Sequence, residues 1–335
     1  MTPQPNIVVA DALDDAALAR LRAAARVVEV DGRDMDDLRE ALTSADGLVV
    51  RTYTRVTEAL LAHAPRLRVI GRAGVGVDNI DLAAARSRRI AVVHTPAAAT
   101  DAVADLTVGL MIAVLRCTCR ADALVRQGRF DEARELPIGV ELAALTLGIV
   151  GMGRIGKAVA RRCYHGFAMP VLYTDIIEPG PLPCPATRVS LEENLQRADV
   201  LTLHVPLTDQ TRGMIAEEAF AHLALREQRR LQTGAVLINT ARGPVVNTEA
   251  LVRALKPGRL SGAGLDVTDP EPLPDGHPLL ADPRVVITPH AGARTWAAHA
   301  RMCAVVEDVL GVLRGEPPRF PVEEDEKLVE CQTRD

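Results

Sequence analysis

The chain has 335 residues, which is enough for two domains that each bury most of their apolar surface. Hydrophobic residues make up 48% of it but aromatic residues only 2%, so valine, isoleucine, leucine and alanine must fill the cores. Its formal net charge of -5 gives no reason to expect a nucleic-acid or membrane partner. No apolar run approaches the roughly 20 residues of a membrane span, and the sequence shows no signal-peptide pattern. We therefore expect a cytoplasmic protein.

The first part of the chain alternates short β-branched runs with helical patterns. The predicted strands lie at residues 7–10, 27–30, 47–50, 68–71 and 90–93. Such alternation is typical of a parallel sheet that carries helices on both faces. A long helical pattern follows, from about residue 101 to residue 127.

The second part of the chain repeats this alternation. The predicted strands lie at residues 147–150, 171–175, 200–203, 235–239, 262–267 and 285–288. Strands in this number, separated by helix-sized segments, fit a doubly wound domain of the dinucleotide-binding kind. One more helical segment, at about 295–313, has no strand of the second block to cover. We therefore expect it to return to the first block.

A glycine-rich turn links the first strand of the second block to a helix. Gly151, Gly153 and Gly156 form the pattern Gly-x-Gly-x-x-Gly, and Asp175 ends the next hydrophobic run. The first glycine permits a tight turn, the second lets backbone amides approach a pyrophosphate, and the third lets helix and strand pack closely. Asp175 can bond both ribose hydroxyls but would repel a 2′-phosphate. The pattern predicts NAD as the cofactor, with a purely structural glycine turn as the alternative.

Three chemically distinct side chains follow the later strands of the second block. Arg242, Glu271 and His290 come after its fourth, fifth and sixth predicted strands. Ligands of open parallel sheets bind at the carboxyl ends of the strands, so these groups are expected on one edge. Oxidation of a hydroxy acid needs a base for the hydroxyl proton, a carboxylate beside that base, and an arginine for the substrate carboxylate. Taken singly, the three residues fit a surface ion pair, a loop carboxylate and a helix cap equally well.

Three motifs then give the chain a resemblance to a known family. They lie at residues 148–156, 201–215 and 234–243. Residues from about 47 to 315 resemble the D-isomer-specific 2-hydroxyacid dehydrogenases. The resemblance implies that Arg242 binds the substrate, that His290 is the acid and base, and that Glu271 is its partner.

The same resemblance implies a set of cofactor contacts. Arg242 and His290 would also touch the cofactor, as would Val75 in the first block. The remaining contacts are Arg154 and Ile155 at the pyrophosphate, Asp175 at the adenosine ribose, Val205, Thr240 and Ala241 along the channel, Asp266 at the nicotinamide end, and Ala291, Gly292 and Ala293 beside the nicotinamide.

Residues 49–57 and 69–82 are similar to the phosphoglycerate dehydrogenase branch of that family. This similarity implies that Arg51 helps to bind a substrate phosphate, with an ordinary ion pair at a strand end as the alternative. It also implies that backbone amides of one turn face the substrate carboxylate. The residues of that turn are Gly74, Val75 and Gly76.

The alternation and the resemblance together predict an α/β fold of two doubly wound parallel-sheet domains. A Rossmann NAD-binding domain, residues 99–292, is expected to be inserted into a flavodoxin-like substrate domain, residues 1–98. Residues 293–335 would supply the returning helix and a tail.

The predicted activity is the NAD-dependent interconversion of a D-2-hydroxy acid and its 2-oxo acid. The candidate substrates are 3-phosphoglycerate, hydroxypyruvate and glyoxylate. The alternative is an NAD-sensing binding protein similar to the C-terminal-binding corepressors, which keep the same three side chains. The resemblance implies a homodimer, with the helix from residue 101 and the arm at 130–145 as candidate interfaces. The six cysteines include no Cys-x-x-Cys pair and the eight histidines show no metal-ligand spacing, so we expect no metal site.

Overall fold

The structure is a computed structural model, and it describes residues 4–223, 234–256 and 258–322. Its strands are β1 (Asn6–Val9), β2 (Arg26–Glu29), β3 (Gly47–Val50), β4 (Val69–Arg72), β5 (Ala91–Val93), β6 (Leu147–Val150), β7 (Val171–Thr174), β8 (Thr187–Arg188), β9 (Val200–Leu203), β10 (Ala235–Asn239), β11 (Leu260–Leu265) and β12 (Val285–Ile287).

The α-helices are α1 (Asp15–Ala24), α2 (Met35–Leu42), α3 (Glu58–Leu61), α4 (Leu82–Ser87), α5 (Thr100–Leu115), α6 (Thr118–Arg126), α7 (Phe130–Arg134), α8 (Arg154–Phe167), α9 (Leu191–Arg197), α10 (Glu217–His222), α11 (Thr248–Leu255), α12 (Pro278–Ala281), α13 (Trp296–Cys303) and α14 (Val305–Arg314). Short 3₁₀ turns occur at Leu142–Ala144 and Gly243–Val245.

The described residues divide into two units. The first contains residues 4–99 and 293–322, and the second contains the described residues from 100 to 292. The predicted functions of the units, one for the substrate and one for the cofactor, remain predictions. Most of the predicted tail, residues 323–335, lies outside the described residues.

The sheet of the first unit has the strand order β2-β1-β3-β4-β5, and all its pairs are parallel. The chain runs outward from β1 to β2 and then crosses to β3, which is the flavodoxin-like order. Successive residues of β1 enter opposite cores, since Ile7 and Val9 belong to one apolar cluster and Val8 to another. A sheet covered on both faces has continuous apolar strands of this kind. The predicted flavodoxin-like fold of this unit is confirmed.

The returning helical segment belongs to the first unit. It forms α13 and α14, which meet at Ala304. Helix α14 adds Val305 and Val309 to the same apolar cluster as Ile7. It lies close to β4, because a Cβ atom added to Gly71 would stand 2.4 Å from Cγ2 of Val309.

The sheet of the second unit has the order β12-β11-β10-β9-β6-β7-β8 and is also parallel throughout. The chain leaves β6 to one side through β7 and β8, then crosses to β9 on the other side. This arrangement is the Rossmann order, and the predicted Rossmann fold is confirmed. The reversal places a crevice beyond the carboxyl ends of β6 and β9.

Two features of the second unit differ from the sequence prediction. The edge strand β8 was not predicted, because it consists of two exposed residues with no apolar run. The predicted helix over residues 101–127 is broken into α5 and α6, which are bent by 64°. The break lies at Cys117, whose φ is +52°. Within the described part of the chain no single helix is long and apolar enough to cross a membrane, although α5 and α6 pass that test as a bent pair.

Candidate active site

The glycine turn between β6 and α8 has the close contacts that a nucleotide-binding turn requires. Gly151 has φ +94°, and a Cβ atom on it would lie 2.5 Å from the carbonyl oxygen of His204. A Cβ atom on Gly156 would lie 2.1 Å from the carbonyl oxygen of Gly151. Gly153 caps α8 without a side chain, and the helix begins at the exposed Arg154. The first amides of α8 are therefore open to an anion, so the turn fits a dinucleotide pyrophosphate.

The carboxylate of Asp175 is hydrogen-bonded to this turn. Its Oδ2 accepts the N–H of Met152 at 2.6 Å, and its Oδ1 accepts the N–H of Ile177 at 3.1 Å. The negative charge thus lies at the end of β7, where the ribose of a dinucleotide is bound in this fold. Ile155, in the first turn of α8, is half-buried against the core.

His290 and Glu271 form a hydrogen-bonded pair. The distance between His290 Nδ1 and Glu271 Oε1 is 2.8 Å, and Glu271 Oε2 accepts the N–H of Thr268 at 3.4 Å. Partial burial raises the pKa of the Glu271 carboxyl, but the hydrogen bond and charge of His290 outweigh burial and hold that pKa below its usual value. An ionised carboxylate only accepts hydrogen bonds, so Nδ1 of His290 carries a proton. The other ring nitrogen, Nε2, is then the one that could exchange a proton with a ligand.

Asp266 holds the loop that carries His290. Its side chain is 3% exposed. Its Oδ1 accepts the hydroxyl of Thr288 at 2.5 Å and the N–H of Ala291 at 2.7 Å, while its Oδ2 accepts the N–H of Gly292 at 2.8 Å. The loop needs this support, because His290 has φ +52°, a conformation unusual for a residue with a side chain. The sequence placed Asp266 at the nicotinamide end of the cofactor, whereas three of its contacts are to the His290 loop.

Arg242 lies in a turn that Asn239 organises. The side-chain amide of Asn239 donates to the carbonyl of Arg242 at 2.9 Å and accepts the N–H of Ala241 at 3.0 Å. The Arg242 guanidinium donates to the carbonyl of Ala241 at 2.8 Å. The next residue, Gly243, touches the neighbouring loop, since a Cβ atom on it would lie 1.9 Å from the carbonyl oxygen of Thr268. The Arg242 turn is therefore packed directly against the loop that precedes Glu271.

Arg242, Glu271 and His290 all belong to the second unit and follow β10, β11 and β12. The positive charge of Arg242 is a further, smaller contribution that lowers the pKa of Glu271. The structure thus brings a guanidinium, a carboxylate and an imidazole together on the edge of the sheet that holds the glycine turn. Asn239 is a residue whose role sequence reasoning missed, although it stands at the end of a predicted strand.

The remaining cofactor candidates lie in different surroundings. Val205 is next to the glycine turn, because a Cβ atom on Gly151 would stand 3.0 Å from its Cγ1. The hydroxyl of Thr240 is bonded to that of Thr107 at 2.9 Å, and both side chains are buried. This hydroxyl is therefore engaged inside the protein. Ala293 belongs to the first unit, where it packs against an apolar cluster.

The predicted phosphate ligand, Arg51, is held by the loop after β1. Its backbone N–H donates to Asp11 Oδ2 at 2.6 Å, and its Nη1 donates to the carbonyl of Ala12 at 3.2 Å. Its Nε is buried and has no hydrogen-bond partner among the described residues. The Nε–H of this guanidinium is thus left without an acceptor among the described residues.

The turn after β4 differs in one respect from the expectation that three amides face the substrate. The N–H of Gly74 donates to the carbonyl of Arg72 at 2.8 Å, so this amide is engaged within the turn. Gly74 has φ +157°, a conformation that side chains rarely adopt, which explains why glycine stands there. The N–H groups of Val75 and Gly76 make no hydrogen bond to the part of the protein that the structure describes.

The structure also brings together three polar side chains whose spacing in the sequence did not indicate a cluster. The ligand atoms of Asp14, His299 and Cys303, in the first unit, lie within 4.8 Å of one another. Burial lowers the pKa of His299, and the nearby charge of Arg51 lowers it further. A cationic side chain beside the cluster opposes a metal ion, so we propose none there.

Comparisons with known proteins show which family this chain is similar to. A family model described as "D-isomer specific 2-hydroxyacid dehydrogenase, NAD binding domain" matches residues 108–292. A glyoxylate reductase of Thermofilum pendens is 38% identical over 325 residues, which cover 94% of this chain and 93% of that protein. A D-3-phosphoglycerate dehydrogenase of Methanocaldococcus jannaschii is 40% identical over 316 residues, which cover 93% of this chain but 58% of that protein.

A solved structure of a similar enzyme has the same fold as this chain. The NADPH-dependent glyoxylate/hydroxypyruvate reductase of Sinorhizobium meliloti, in complex with NADP and malonate, matches with a TM-score of 0.85 and 29% identity. The match covers 99% of this chain and 100% of that one.

Proposed function

Because this chain belongs to the D-isomer specific 2-hydroxyacid dehydrogenase family, we propose that it reduces a small 2-oxo acid with NADH, and that Arg242, Glu271 and His290 form its active site. The observation that carries the proposal is the 2.8 Å hydrogen bond between His290 and Glu271, on the sheet edge that also bears Arg242 and the glycine turn. The family establishes an oxidoreductase of 2-hydroxy acids; the residue roles and the substrate are our proposal.

Each of the three side chains has a distinct task. His290 gives a proton to the substrate oxygen through Nε2 during reduction and takes it back during oxidation. Glu271 keeps the imidazole in one tautomer and stabilises its charged form. Arg242 binds the acid in a bidentate pair and polarises the oxygen that changes between ketone and alcohol. The nicotinamide, when bound, supplies or accepts the hydride.

We propose glyoxylate or hydroxypyruvate as the substrate class. A relative named as a glyoxylate reductase matches this chain over almost its whole length. The second candidate is 3-phosphoglycerate. It is supported by the Methanocaldococcus relative, which is named as a D-3-phosphoglycerate dehydrogenase and of which this chain covers 58%. The guanidinium of Arg51 supports this second candidate, since its positive charge and N–H donors suit a phosphate.

Asp175 supports NAD rather than NADP as the cofactor. Its carboxylate is fixed at the end of β7 by the amides of Met152 and Ile177, and a 2′-phosphate there would meet a negative charge. The similar Sinorhizobium enzyme uses NADPH by name, so the preference must be measured on this chain.

We also propose a cytoplasmic homodimer. The arm at residues 130–145 supports an interface, because Phe130 is 59% exposed and Ile138 is 98% exposed. The alternative role as an NAD-sensing corepressor gains no support from the relatives reported above, which are named as reductases and dehydrogenases.

The test is a panel of glyoxylate, hydroxypyruvate and 3-phosphoglycerate, each assayed with NAD(H) and NADP(H) in the direction that the acid permits. We expect the highest kcat/KM with NADH and one of the two 2-oxo acids. Faster turnover of 3-phosphoglycerate would replace the first substrate class by the second. Absence of turnover with every acid would refute the proposed function.

A further inference from the structure

The turn after β4 is held by the two residues that follow β5. The carbonyl oxygen of Gly74 accepts the N–H of Thr95 at 3.0 Å and the hydroxyl of Thr95 at 3.2 Å. The carbonyl oxygen of Val75 lies 2.8 Å from Nδ1 of His94. Both carbonyl groups of the turn are thus directed towards the end of β5.

The direction of these carbonyl groups determines where the N–H groups of the turn point. In a trans peptide the C=O and the following N–H point to opposite sides of the peptide plane. The bond from Thr95 therefore turns the N–H of Val75 away from β5, and the bond from His94 does the same for the N–H of Gly76. Neither amide donates to a protein acceptor among the described residues. Successive amides that point outward in this way form a concave site for an anion.

His94 is itself firmly held. Its side chain is only 3% exposed, and its backbone N–H donates to the carbonyl of Phe320 at 3.1 Å. The N–H of Phe320 in turn donates to Oδ2 of the buried Asp308 at 2.9 Å. A carbonyl oxygen only accepts hydrogen bonds, so Nδ1 of His94 must be the protonated ring nitrogen. The imidazole therefore acts as a fixed donor to the Val75 carbonyl.

We propose that His94 is a positioning residue for substrate binding: its Nδ1–H, assisted by Thr95, orients the amides of Val75 and Gly76 towards the carboxylate of the 2-oxo acid. This inference rests on the proposed function, because it takes the turn as the site of the substrate carboxylate. His94 does not touch the substrate; it acts through the backbone of the turn.

The test compares two substitutions of His94. His94→Leu removes the donor at similar volume, whereas His94→Asn keeps an N–H donor at the position of Nδ1. We expect KM for the 2-oxo acid to rise about tenfold in His94→Leu, the loss of one hydrogen bond, with kcat and the Kd for NADH within about twofold of the wild type. His94→Asn should restore KM to within about threefold. Thr95→Val, which removes only the hydroxyl bond to Gly74, should raise KM by a smaller factor.

Leu42→Ala is the matched control for lost stability. Leu42 is fully buried in the first unit, at the end of α2, in an apolar cluster that does not include Val75. The variant should lower the melting temperature and leave KM unchanged. A wild-type KM in His94→Leu, an equal defect in His94→Asn, or an equal rise in KM in Leu42→Ala would overturn the inference.

A binding measurement separates this inference from the proposed function. Oxalate presents the carboxylate of a 2-oxo acid but cannot be reduced, so its Kd can be measured by calorimetry with NADH present. Weaker oxalate binding by His94→Leu, with recovery in His94→Asn, supports the role of His94 even if no acid is turned over. Equal oxalate binding by the wild type and His94→Leu, or no binding by either, overturns it.

Discussion

The hydrogen bond between His290 and Glu271 decides which ring nitrogen of His290 would exchange a proton with the proposed substrate. Burial raises the pKa of the Glu271 carboxyl, but the hydrogen bond to His290, the charge of His290, the bond from Thr268 and the charge of Arg242 together lower it below its usual value. An ionised Glu271 fixes the proton on Nδ1 and leaves Nε2 for chemistry. The ion pair is also partly exposed, so its value lies in orientation more than in stability.

Glu271→Gln tests that role. The amide of glutamine can donate to Nδ1, which would place the proton of a neutral imidazole on Nε2 and remove the charge that stabilises the imidazolium. We expect kcat to fall by about 10²-fold while the melting temperature changes little. Glu316→Gln is the control, because Glu316 pairs with Arg314 on the surface of the first unit and should keep full activity. A kcat within threefold of the wild type in Glu271→Gln would remove Glu271 from the site.

The buried imidazole of His204 should make the stability of the protein depend on pH. Burial lowers the pKa of its imidazole to about 3, and its Nδ1 has no hydrogen-bond partner in the described part of the chain. The unfolded chain takes up a proton near pH 6.5, whereas the folded protein does so only near pH 3. The contribution of this group to stability is therefore complete above pH 6.5 and is lost progressively as the pH falls towards 3.

His204→Gln should reduce that loss. Gln cannot be protonated and can still reach the hydroxyl of Thr202, which lies 3.0 Å from Nε2 of His204. We expect the melting temperature of the wild type to fall more steeply than that of the variant between pH 6.5 and pH 4.5, as followed by circular dichroism. Parallel curves for the two proteins would contradict this prediction.

At the scale of elements, the side chains that we propose as catalytic depend on loops rather than on the strands that precede them. Asn239 shapes the turn of Arg242, and Asp266 shapes the loop of His290. Both are buried polar residues that complete the hydrogen bonds of nearby backbone groups. Such groups are costly to leave unpaired, so the two side chains fix one geometry for each loop.

Asp266→Asn tests the support of the His290 loop. The variant keeps the volume but replaces one acceptor oxygen by an N–H₂ group, which would face a backbone N–H. We expect kcat to fall by about tenfold or more and the free energy of unfolding to fall by about 1–3 kcal/mol. The check is steady-state kinetics together with urea denaturation. Wild-type kcat with wild-type stability would show that Asp266 does not hold the loop.

Sequence patterns located most elements and the side chains at strand ends, but not every loop. The strands were predictable because each is an apolar run between helical patterns, and Arg242, Glu271 and His290 follow such runs directly. The break between α5 and α6 at Cys117 was not predictable, because the helical pattern of the sequence continues through it. Only the positive φ of Cys117 marks the break. The engaged amide of Gly74 and the contacts of Asp266 depend on hydrogen bonds between separate segments, which no local pattern encodes.

At the scale of the whole molecule, two parallel sheets of different order were predicted and found. In the second unit the order of the strands reverses at β6, as in the Rossmann fold, and the glycine turn follows that strand. The helix that returns to the first unit was predictable because it had no strand to cover in the second. The hydrogen bonds around the proposed substrate residues were less predictable, since those of Arg51 and of the turn at Gly74 join segments that are distant in the sequence.

The central claim is that Arg242 and His290 perform the chemistry while the glycine turn binds the cofactor independently. The most direct measurement is kcat for glyoxylate or hydroxypyruvate in His290→Ala and Arg242→Ala, with the Kd for NADH of each variant determined by calorimetry. We expect a loss of about 10²–10⁴-fold in kcat in His290→Ala, a comparable loss of kcat/KM in Arg242→Ala, and a Kd for NADH within about threefold of the wild type in both. Unchanged turnover in both variants would contradict it.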